Sequence, residues 1–358
     1  MYVCVFLIVS PIFFLVQRLV AEKKINYFVL IKMKTWKRVI RRSEWLAGGR
    51  DLGERRQFNR ALKGGRRVRG PLLHYYIEHE GKTYHLFGDI HDKPALNLKD
   101  CVDSVPVDEY LLELTRQNEP NNTHFLGEYP YVDPSDPRIG IIYRSRYYYV
   151  QDLLKKVKGR LSYLYDMELF FWKTKITKTP PSLQCHPIDI RQGPDYDDNG
   201  VLAHLHGLWK FEKTTDRDLY ELLLWYIDSP DATIRSQDDY LAVATKYVNT
   251  VEYEKELKRR EILSNAKTLC PLHVEITKYI QQLYQRIAEN EEDMFLNLGS
   301  LVVDAYAMYT MFDPTKLHIV TYMGMSHVIH YKNFLRGLGA TIEVDLNVGG
   351  CVETKKIR

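Results

Sequence analysis

Two short apolar runs, each closed by a glycine and followed by a histidine, constrain this chain more than any other feature. One is Tyr84-His85-Leu86-Phe87-Gly88-Asp89-Ile90-His91-Asp92; the other, far downstream, is His318-Ile319-Val320-Thr321-Tyr322-Met323-Gly324-Met325-Ser326-His327. Apolar runs of this length that stop at glycine read as buried strands opening into loops. In open α/β sheets ligands bind beyond the carboxyl ends of such strands. Two of these ends carrying histidine predict one site assembled from both halves of the chain.

The segments between them alternate in character. Leu73–His79, Gly81-Lys82 and Thr83–Gly88 read as a hairpin that delivers the first run. Val107–Gln117 reads as a helix, with Val107, Leu111 and Leu114 on one face. Thr123–Pro130 is a third apolar run, stopping at Gly127-Glu128, and Cys185–Arg191 is a fourth strand-like stretch that ends in charge. Helical patterns cover 147–158, 161–173, the stretch opening at Ser236, the stripe Ile276 to Ile287, 298–312 and 331–338. The strand Leu317–Met323 follows Asp313-Pro314, and Thr341–Val344 is expected to close the body. Strands alternating with helices predict an α/β fold with a central mixed, largely parallel sheet flanked by helices.

Charge divides the chain. Residues 1–70 hold 17 Lys/Arg against 4 Asp/Glu, and residues 71–358 hold 33 against 42. A basic arm, 33–70, therefore precedes an acidic α/β body, 71–358. The arm suits contact with an anionic membrane or nucleic acid, though no nucleic-acid motif accompanies it. Residues 1–32 open with an apolar stretch that reads as a membrane anchor, a signal peptide or a segment preceding a start at Met33. As an anchor, the following Arg18, Lys23 and Lys24 would hold the body on the cytoplasmic side; otherwise the body is expected in the cytoplasm. Five scattered cysteines without a C-x-x-C pair argue against a disulfide framework or structural zinc site.

Asp89 and His91, two apart on a strand, point to one side, and a carboxylate beside an imidazole suits a divalent metal or a base with its orienting partner. Glu128 ends an apolar run, where an unpaired carboxylate is costly to bury. His327 opens a helical segment, and His330, one turn later, shares its side. His204-x-His206 reads as structural.

Gly88-Asp89-Ile90-His91, Gly127-Glu128, Asp189-Ile190-Arg191 and Gly324-Met325-Ser326-His327, in that order, resemble the motifs of a superfamily. It unites TraB/TIKI proteases, erythromycin-esterase-like enzymes and ChaN-type haem-binding proteins. The chain is also similar to uncharacterised proteins of large DNA viruses, which would place it in an infected host cell. The superfamily resemblance implies catalytic Asp89, His91, Glu128, Arg191 and His327, with His91, Glu128 and His327 as metal ligands. Asp89 stands where the family pattern has Glu. The implied activity is hydrolysis of a peptide or ester bond in a peptide or small-molecule substrate. A divalent metal would activate water, or His91 or Glu128 would act as base while Arg191 steadies the oxyanion. The resemblance equally accommodates a non-catalytic, membrane-tethered protein binding haem or another ligand. Gly88-Asp89-Ile90-His91-Asp92 also resembles the opening motif of calcineurin-like metallophosphoesterases, without that family's further motifs.

Overall fold

The structure, a computed structural model, describes residues 66–89, 104–118, 123–157, 163–191, 216–234, 236, 238–239, 250–288, 294–346 and 351–354. All fall within one compact unit, Phe58–Arg358. The apolar first segment, most of the basic arm, the loop 193–200 and the histidines His91, His204 and His206 lie outside the described residues.

The strands are β1 (Arg66–Arg69), β2 (Leu73–His79), β3 (Lys82–Asp89), β4 (Ser104–Pro106), β5 (Thr123–Pro130), β6 (Leu183–Asp189), β7 (His318–Gly324), β8 (Thr341–Leu346) and β9 (Cys351–Thr354). The helices are α1 (Val107–Gln117), α2 (Ile139–Val157), α3 (Tyr163–Thr177), α4 (Asp216–Tyr226), α5 (Thr250–Thr268), α6 (His273–Ala288), α7 (Met294–Met311) and α8 (Met325–Gly337). Six strands form the main sheet in the order β6-β5-β7-β3-β2-β8, and β4-β1-β9 form a smaller one. Within the main sheet β6, β5, β7 and β3 run parallel, while β2 is antiparallel to both β3 and β8. The fold is a mixed α/β one, its sheet flanked by helices.

Side-chain alternation assigns the helices to two layers. Leu86, Leu126, Ile188, Ile319 and Met323 face one core together with α4, α5, α6, α7 and α8. Phe87, Phe125, Cys185, Val320 and Tyr322 face a second core with α1, α2 and α3. Central strands buried on both faces explain why these runs are almost continuously apolar. The β2–β3 hairpin turns on Glu80 (φ 47°) and Gly81 (φ 77°). Consecutive positive φ values in a two-residue loop match the right-handed twist of the flanking strands, and His79 pairs with Lys82 across it.

Four expectations need correction. The last residues of the basic arm, Arg66–Arg69, are strand β1, paired with β4 and β9 around a buried Val68. The body does not close at β8, because β9 returns to pair with β1. Helix α2 starts at Ile139, eight residues earlier than its apolar pattern predicted. Its entry is an Asx turn in which Asp136 Oδ1 accepts the Arg138 N–H at 2.7 Å, so Pro137 lies in the turn that introduces the helix. Helix α8 begins directly at Met325, with Gly324 as its N-cap and no intervening loop. No helix among the described residues is long and apolar enough to cross a membrane.

The glycines that close the apolar runs have steric reasons. At Gly127 a Cβ would lie 2.0 Å from Tyr129 Cε2, because the Tyr129 ring folds back over the glycine on the second core's face. At Gly88 a Cβ would meet the Met325 Cα at 3.2 Å, so this glycine lets α8 sit close against β3. Replacing glycine by alanine ordinarily stabilises a chain at a compatible position by restricting the unfolded state. Gly127→Ala is expected to do the opposite, costing about 1–3 kcal/mol through overpacking. Urea unfolding of wild type and variant measures this; an unchanged or raised midpoint would contradict the packing described.

Candidate functional site

Four parallel strands bring acidic and basic groups to one end of the sheet. Asp89 ends β3, Glu128 lies near the end of β5, Asp189 ends β6 with Arg191 just beyond, and Gly324 ends β7. In the linear sequence these positions are far apart; the parallel order β6-β5-β7-β3 makes them neighbours.

Glu128 follows Leu126 by two residues and so faces the first core. Its Oε2 accepts the Gly324 N–H at 2.8 Å, placing the carboxylate at the positive N-terminal end of α8. Its Oε1 accepts Arg191 Nη2 at 2.9 Å and lies 3.3 Å from His327 Nε2. Arg191 also holds Asp189 bidentately, Nε to Oδ1 at 2.7 Å and Nη2 to Oδ2 at 3.0 Å. Its Nη1 has no hydrogen-bond partner among the described residues. Burial disfavours the Glu128 charge, but His327, Arg191 and the Gly324 N–H together hold it well below the usual carboxylate range. Burial likewise opposes the Arg191 charge, and Asp189 and Glu128 more than restore it.

His327 is buried three residues into α8. Its Nδ1 donates to Asp304 Oδ1 at 2.6 Å, while Nε2 faces Glu128. Burial lowers its basicity, yet the two carboxylates raise it to about 10, so at neutral pH the ring is an imidazolium with both N–H groups engaged. The other oxygen of Asp304, Oδ2, accepts His330 Nδ1 at 2.6 Å. Burial acts against the Asp304 charge, and the two histidines bring its pKa down to about 2. One fully buried carboxylate on α7 thus ties together two turns of α8.

Three of the five expected residues, Glu128, Arg191 and His327, therefore meet. Asp89 does not join them. It follows Phe87 by two residues, faces the second core, and accepts the Tyr322 O–H through Oδ2 at 2.9 Å. Burial and this carboxylate push the Tyr322 phenol well above its ordinary value. His91 lies outside the described residues. Asp304 is the site residue that the sequence pattern did not single out. Its signal was there: it is the one charged residue in Met294–Met311, and an ionised group at such a position has to find a partner.

The residues fit a metal poorly as arranged, since His327 donates from both nitrogens and both Glu128 oxygens are occupied. Among the described residues no group of three or more His, Cys, Asp or Glu side chains is placed to hold a metal ion. No family model, curated protein or solved structure matches this chain.

The ion network should be readable as stability. Removing one partner of a buried pair leaves an uncompensated charge, so Asp304→Ala is expected to cost about 3–5 kcal/mol. The pH dependence follows from the two shifts. His327 is raised above its ordinary 6.5, so its contribution is fully present below pH 6.5 and is lost as pH rises through about 10. Asp304 is lowered from 3.8, so its contribution is present above pH 3.8 and is lost as pH falls through about 2. Urea unfolding followed from neutral to alkaline pH should show a steady loss in wild type that His327→Gln abolishes. Equal pH slopes in the two proteins would contradict the assignment.

Proposed function

We propose that this chain is a hydrolase of the TIKI and erythromycin-esterase-like type, cleaving a peptide or ester bond. The carrying observation is the chain Glu128–His327–Asp304 beside Arg191, built at the carboxyl ends of parallel strands. Ligands of open α/β sheets bind at that end. The superfamily fold is part of the same proposal and rests on the ordered motifs together with the mixed, helix-flanked sheet. Substrate would be a peptide or a small molecule.

In this reading Glu128, ionised and fixed by three donors, is the negative charge that holds Arg191 in place at the site. Arg191, with Nη1 uncommitted, steadies the developing oxyanion. His327 serves as the fixed positive charge that keeps Glu128 ionised, and Asp304 keeps His327 charged. His91, on the segment that follows β3, would complete the site. A divalent metal would enter only if His327 gave up a proton and turned from Glu128; its chemistry would be to lower the pKa of bound water.

A second reading has a specific observation behind it. The polar atoms of Glu128 and His327 are nearly all satisfied within the protein, as in a network that serves only the fold. That favours a binding protein of the same architecture, carrying haem or another ligand and tethered to a membrane by its first segment. The phosphoesterase reading is less favoured, because Asp89 faces the second core and is held by Tyr322.

Purified protein assayed against ester and peptide panels separates these readings. The hydrolase reading expects turnover that Glu128→Gln and Arg191→Met each reduce by about 10²-fold or more. Turnover that survives both substitutions would overturn it. A haem absorbance band without turnover would establish the second reading.

A further inference from the structure

His327 cannot itself shuttle a proton to substrate while both of its nitrogens are bound to carboxylates. His330 is differently placed. Its Nδ1 is held by Asp304 Oδ2 at 2.6 Å, and its backbone carbonyl accepts Tyr279 Oη–H at 2.9 Å. The Nε2 edge has no partner among the described residues. The side chain keeps 22% of its surface, against 3% for His327. Ser326, four residues earlier and on the same side of α8, is exposed, so that side of the helix is reached from outside. A buried carboxylate on one imidazole nitrogen, with the other nitrogen unpartnered among the described residues, is the arrangement of a general base with its orienting partner.

We infer that His330, oriented by Asp304, is the group that exchanges protons with substrate, acting on a carboxylic ester or a similarly activated acyl compound. The inference rests on the hydrolase reading and names its base. His330 Nε2 takes a proton from water as the water oxygen bonds to the acyl carbon. That proton then passes to the leaving alkoxide oxygen as the carbon–oxygen bond breaks, giving acid and alcohol with no other reactant. Asp304 is a positioning residue in this step. It holds the Nδ1–H form, whereas neutral imidazole in water favours the Nε2–H form.

The test uses the full chain with p-nitrophenyl acetate as probe, beside ring-nitrogen NMR of histidine-labelled protein. His330→Gln leaves the Asp304–His327 pair in place; urea unfolding checks that the variant is folded, and hydrolysis by the folded variant should fall by about 10²-fold or more. Neutral His330 should show the Nδ1–H form in wild type and revert to Nε2–H in Asp304→Asn, a change that loss of packing alone would not produce. Diethyl pyrocarbonate followed by peptide mass analysis should modify His330 faster than His327. Full ester hydrolysis by His330→Gln, or slower labelling of His330 than His327, overturns this inference and leaves the hydrolase reading standing. Absence of hydrolysis by wild type on ester and peptide panels overturns the hydrolase reading, and this inference with it, whatever the labelling shows.

Discussion

A carboxylate in the middle of an apolar helix stays ionised only where a counter-charge is brought to it, and Asp304 sets that requirement for this fold. It is fully buried on α7, among Leu301, Val302, Val303, Ala305 and Ala307, which pack into the first core. Helix α8 meets the requirement with the charge of His327 on one carboxylate oxygen and a hydrogen bond from His330, three residues on, at the other. The charge on His327 then has to be balanced on its other side, and Glu128 at the end of β5 does so. Glu128 in turn draws in Arg191 and, through it, Asp189. Each charge is acceptable in the interior because the next one is present, so the network is expected to fail as a unit when one member is removed.

This chain of dependence also explains the local backbone. The carboxylate of Glu128 sits where the first N–H groups of α8 are exposed, and it accepts the one from Gly324. The helix can start without a loop because its N-terminus has this acceptor waiting, and because Gly88 leaves room for Met325. The sheet order brings the end of β7 between β5 and β3, so the start of α8 falls at the centre of the parallel block. A site formed here inherits a rigid floor from the strands and a fixed positive end from the helix.

Much of the fold was legible because the strands obey simple rules. The hairpin announced itself through Gly81 between two apolar runs, and the expected bounds for Val107–Gln117 and Thr123–Pro130 coincide with α1 and β5. Glu128 stood out because a charge at the end of a buried strand is conspicuous, and the resemblance of the ordered motifs singled out Arg191 and His327. Asp89 was grouped with them because the sequence shows that a residue ends a strand but not which face of the sheet it serves; that depends on register with β7. Asp304 was overlooked because an apolar helix reads as core, and its significance appears only when His327 and His330 are seen opposite it. The small sheet β4-β1-β9 escaped notice because three- and four-residue strands carry too little pattern to stand out from a basic, glycine-rich segment.

The central claim is that His327 is a buried imidazolium held between two carboxylates. Ring-nitrogen NMR of histidine-labelled protein at mildly alkaline pH tests it directly. Two protonated nitrogens on His327, titrating near 10, are the predicted result. A neutral ring with an ordinary midpoint near 6.5 would contradict the account and dissolve the network on which the proposed site is built.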